Sequence, residues 1–163
     1  MRRLKLTVII WLISIIFLAA ESFADGTVSI QSDTIFVDYR AARRILTLSF
    51  VGDGENGTIP DTVINPATYA IEGWFLYSAE TNPGSPAPTP AYNIVINDTD
   101  DVDIAGGLLI DRDTSVSELV NFINASHRHP IIRGNVTVTF ANQAVGGAKG
   151  TLILIFVPEL CFR

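Results

Sequence analysis

The sequence predicts an all-β protein, an antiparallel sandwich or jelly roll carrying one short helix. Three observations predict it. Short β-branched or alternating runs recur along the chain, as in Ile45–Val51 (ILTLSFV) and Val136–Phe140 (VTVTF). Turn-forming clusters of Gly, Asn, Asp and Pro separate them, as in Gly52–Gly57. The run Thr151–Val157 (TLILIFV) is almost wholly apolar, which suits a strand buried inside a sheet.

The first 24 residues stand apart from this pattern. Arg2, Arg3 and Lys5 precede a nearly unbroken apolar stretch from Leu6 to Ala20, and Ser22-Phe23-Ala24 supplies small residues at the −3 and −1 positions. This is the pattern of a secretory signal peptide cleaved after Ala24. The alternative is an uncleaved anchor, but the stretch is shorter than the roughly 20 residues of a membrane span. The expected location is therefore periplasmic or extracellular, with no stable membrane span after cleavage. Residues 25–163 are read as a single β-sandwich domain.

The full chain has 163 residues, 11 Lys and Arg, 17 Asp and Glu, and a net charge of −6. Cleavage removes three basic residues and Glu21, leaving 139 residues at −8. An acidic chain without basic clusters is ill suited to nucleic acid, whose phosphates demand Lys and Arg. One cysteine, Cys161, cannot form an internal disulfide.

Along the mature chain, Thr27–Ser32 and Thr34–Tyr39 read as strands, followed by Ile45–Val51. Thr68–Ser78 reads as a long aromatic-rich strand, with Gly73 marking a bulge or bend. Trp74, Phe75 and Tyr77 are expected to pack in core and rim rather than to form a ligand platform. Asn82–Pro90 holds four prolines and reads as an extended loop. Tyr92–Asn97, Ile131–Phe140 and Thr151–Val157 complete the strands. The helix is expected over 116–125, where Ser115 and Glu118 match a capping box and Val116, Leu119, Val120 and Ile123 follow at helical spacing.

Few residues suggest chemistry. The run Asn97–Asp103 holds Asp98, Asp100, Asp101 and Asp103, hard oxygen donors of the kind calcium takes. It fails the EF-hand pattern, with Asp103 at the sixth position and Leu109 at the twelfth, and a solvated Asx turn, which needs no ion, is the favoured reading over a cation site. His127 and His129 could face one way on an extended segment, yet they supply only half a zinc shell. Asp111 and Asp113 are explained by turns. No G-x-S-x-G and no phosphate-binding glycine loop occurs, so a non-catalytic role is expected and no cofactor is implied. Asn56, Asn97, Asn124 and Asn135 open N-x-[S/T] triplets, which residues favoured in turns and strands also generate.

A resemblance adds to this. Ile71–Trp74, Asn82–Ile94, Asp98–Gly107, Arg112–Ser115, Pro130–Val138 and Ala148–Gly150, within about residues 65–157, resemble a family of small uncharacterised phage-associated proteins encoded among virion structural genes. The shared residues form turns and strands, and no functional residue carries over. The resemblance implies a structural protein that assembles with itself or with a virion. The export segment favours the alternative, a secreted or periplasmic binding module for carbohydrate or a protein partner.

Overall fold

The computed structural model describes residues 26–38, 41–122 and 130–158. In chain order the elements are β1 (Thr27–Asp38), β2 (Ala41–Val51), β3 (Thr62–Ile64), α1 (Pro66–Tyr69), β4 (Phe75–Pro83), β5 (Asn93–Asn97), β6 (Glu118–Asn121), β7 (Val136–Ala141) and β8 (Lys149–Val157). A five-stranded sheet runs β1-β2-β8-β4-β6 and a three-stranded sheet runs β3-β7-β5, with every pairing antiparallel. The protein is thus all-β and sandwich-like.

Alternation explains how the two layers meet. Leu46, Leu48 and Phe50 on β2 lie opposite Leu154, Leu152 and Gly150 on β8, and the side chains of this row face inward. Ile94 and Ile96 on β5 and Val136, Val138 and Phe140 on β7 answer from the other sheet, in one continuous buried cluster. Burying each such side chain contributes about 1.5–3 kcal/mol, and this is what holds the layers together. The Phe50 and Phe140 rings join the sheets, with centroids 4.6 Å apart and a 49° tilt. Phe50 has room because its partner is Gly150, where a Cβ would stand 2.5 Å from the Phe50 ring.

Several sequence expectations change. The two strands expected over Thr27–Ser32 and Thr34–Tyr39 are one from Thr27 to Asp38, because Ser32 and Asp33 continue the ladder opposite Leu46 and Ile45; Tyr39 lies outside the described residues. Thr68–Ser78 is not a single strand. Thr68 and Tyr69 end the four-residue helix α1, Gly73 sits in a turn at φ 74°, and β4 begins at Phe75. A bulge does occur, between Leu76 and Ser78. β4 runs on to Pro83, so the proline-rich loop starts later than expected. Trp74 packs half-buried against the core.

The expected helix at 116–125 is corrected. Glu118–Asn121 is strand β6, paired with Thr81–Ser78 of β4. Residues 123–125 lie outside the described residues. The capping box does not form, because Asp113 captures the turn. Its Oδ1 accepts from the Ser115 amide (2.6 Å), the Ser115 hydroxyl (2.7 Å) and the Val116 amide (3.1 Å). Glu118 Oε2 instead accepts from the Asp113 amide at 2.7 Å and pairs with Arg112 at 3.4 Å. The short helix that exists is α1. Asn65 caps it by accepting from the Ala67 and Thr68 amides, and Pro66 opens its first turn.

Candidate functional site

The acidic loop follows β5 and folds back along it. Asp98 Oδ1 accepts from the Asp100 amide (2.9 Å) and the Val102 amide (3.0 Å), an Asx-type turn. Asp103 Oδ1 accepts from the Ala105 amide at 2.9 Å, and Oδ2 from the Gly107 amide at 2.7 Å. Asp101 adopts a left-handed conformation, φ 58°, and is exposed. Carboxylate oxygens of Asp98 and Asp103 are therefore engaged in holding the loop. Among the described residues, no three His, Cys, Asp or Glu side chains gather in a way that could hold a metal ion.

Asp98 and Asp100 do reach one pocket of about 220 Å³, shared with Thr99, Ile104, Ile132 and Arg133. His127, His129, Asn124, Cys161 and the expected signal segment 1–24 lie outside the described residues. Asn56 and Asn135 are exposed, whereas Asn97 is half-buried in β5. No helix among the described residues is long and apolar enough to cross a membrane.

The same loop covers one edge of the sandwich. On the side of β5 away from β7, the Ile94 amide donates to Leu109 O (2.9 Å) and Ile96 O accepts from the Ile104 amide (2.8 Å). Arg112 N donates to Tyr92 O at 2.9 Å, and Asp111 N to the Asn93 side chain at 2.9 Å. Leu109, fully buried, anchors the covering segment in the core. Two further edges are short: β3 has three residues and β6 has four.

β1 is different. It spans 12 residues and pairs with β2 on one side only. Among the described residues, no backbone hydrogen bond reaches its other side. The strand contains no Pro, Lys or Arg; of the features that commonly blunt an edge it has Asp33, Asp38 and a register shift between Phe36 and Asp38, which leaves Thr27–Ser32 without any. Thr27, Ser29, Gln31, Ser32 and Asp33 are exposed, while Val28 and Ile30 are half-buried against the core. An edge of this kind presents a row of free N–H and C=O groups to an incoming strand. The sequence pattern read this stretch as two strands, Thr27–Ser32 and Thr34–Tyr39. It gave no sign that β1 lies at an edge, since edge position depends on which distant strands pair.

Tyr92 shows what the covered side does to a buried group. Burial pushes its phenol up to about 12; Arg112 pulls it down and Glu118 raises it. Its hydroxyl and the Thr81 hydroxyl are both buried without a hydrogen-bond partner. Compared with family models, curated proteins and solved structures, the chain matches none.

Proposed function

We propose that the protein is a non-catalytic structural module that assembles with other protein chains by strand pairing along β1. The observation that carries this is the contrast among its edges: three are short or covered, whereas β1, 12 residues long and paired with β2 on one side, has no strand on its other side among the described residues. The resemblance to virion structural proteins supports the same reading, as such proteins work by assembling. Export to the periplasm or beyond, as the N-terminal segment implies, would place this assembly outside the cytoplasm.

A second reading rests on the pocket beside Asp98, Asp100 and Arg133, whose mixed charge suits a small polar ligand and hence a binding module. Mass in solution tests the first reading. Light scattering over a concentration series should show mass rising above that of one chain, with the rise tracking protein concentration. A one-chain mass throughout the series overturns it.

A further inference from the structure

We infer that the partner strand is β1 of a second copy of this chain, running antiparallel about a two-fold axis at Ser32. This rests on the assembly reading above and names its occupant. Pairing would join two five-stranded sheets into one continuous sheet.

Strand pleating and charge select the register. Inner-row side chains must meet inner-row side chains, so the two-fold axis falls on a residue rather than between two, since a one-residue slip turns each strand over. β1 shifts register between Phe36 and Asp38, so its regular part runs from Thr27 to Phe36, and axes at Gln31 or Ser32 give the longest regular overlap. An axis at Gln31 sets Asp33 opposite Ser29, whose hydroxyl already donates to Ser49 O within its own sheet. An axis at Ser32 sets Gln31 opposite Asp33, twice by symmetry, so each Gln31 amide can donate to a carboxylate of the other copy. The same register sets Ile30 opposite Thr34, extending the inner row across the junction. Gln31, Ser32 and Asp33 are all exposed and available for this contact.

Two substitutions at one exposed position read the register directly. Gln31→Lys places a cation opposite Asp33, and Gln31→Asp places a like charge there. Each acts twice across the axis. In about 0.15 M salt, which screens the chain's overall negative charge, the dimer dissociation constant should fall about tenfold for Gln31→Lys and rise about tenfold for Gln31→Asp. Sedimentation equilibrium measures it, with far-ultraviolet circular dichroism checking that both variants stay folded. Association that both variants leave unchanged, or shift in the same direction, overturns β1 self-pairing while leaving assembly through another surface standing. A one-chain mass for the parent and both variants overturns self-pairing and the assembly reading together.

Discussion

The two long sides of the sandwich are finished in opposite ways. Beyond β5, residues 102–112 wrap the strand, place Leu109 in the core and supply hydrogen-bond partners to Tyr92, Asn93, Ile94 and Ile96. Beyond β1 the described chain supplies nothing. One edge has been made into interior, and the other remains surface. The difference shows where the molecule invests its turn chemistry. Asp98, Asp103 and the left-handed residues at 101, 106, 107 and 111 all serve the covered side.

The largest expected effect compares apolar truncations on the two sides. Leu109→Ala, at a fully buried position, should cost about 2–5 kcal/mol in urea unfolding. Ile30→Ala, half-buried on β1, should cost about 1 kcal/mol, since part of its side chain already meets water. Equal costs would mean that the β1 side is as enclosed as the β5 side.

Removing the cap comes next. Asp103→Ala leaves the Ala105 and Gly107 amides without their acceptor, at about 1–3 kcal/mol. Amide hydrogen exchange should quicken at Ile94 and Ile104, whose bonds close the β5 side, and stay unchanged in β1. Uniform quickening across both would show that the loop stabilises the whole sandwich rather than one edge.

Acid gives a smaller, graded effect. The amides of Asn56 and then Glu55 hold the Asp53 carboxyl below its usual range; the Ser115 hydroxyl, followed by the Ser115 and Val116 amides, does so for Asp113. A depressed carboxyl adds stability that is complete above its unfolded value and is lost as pH falls through its folded one. Melting temperature should therefore hold from neutral pH to about pH 5 and decline below about pH 4. Asp113→Asn should flatten part of that decline, and an unchanged slope would remove Asp113 from the account.

The smallest effect has the opposite sign to the first two. Thr81→Val replaces a buried hydroxyl that has no hydrogen-bond partner with a methyl of similar size. It should leave stability unchanged or raise it by up to about 1 kcal/mol in thermal unfolding. A clear loss would reveal a hydrogen bond to ordered water at that hydroxyl.

Legibility in the sequence followed the length of each repeating pattern. β2 and β8 were readable because seven or more residues alternate or run apolar in a row. β3, with three residues, is too short to carry a period. β6 was misread because Val116, Leu119 and Val120 fit a helical spacing, while the deciding facts were Asp113 taking the turn amides and β4 offering a strand edge. Gln143 was invisible for a related reason. Its side chain accepts from the Thr89 amide and donates to Gly57 O, partners 54 and 86 residues away, and no local pattern announces such contacts. The open β1 edge depends in the same way on distant pairings, so the candidate site emerged only with the sheet order.

The position of β8 also sets a timetable. It lies between β2 and β4, so Arg44 finds its register partner only when Phe156 has been made. Until then the five-stranded sheet lacks its middle, and β2 and β4 each expose an apolar inner face and an unfilled edge. Pairings this distant in sequence are slow to close and leave a growing chain prone to sticking to its neighbours. A chain synthesised only to residue 148 would keep most of its hydrophobic residues and still be unable to assemble the larger layer. The β1–β2 and β4–β6 pairings and the whole smaller sheet use strands made before β8, so what waits for the last described strand is closure of the larger layer.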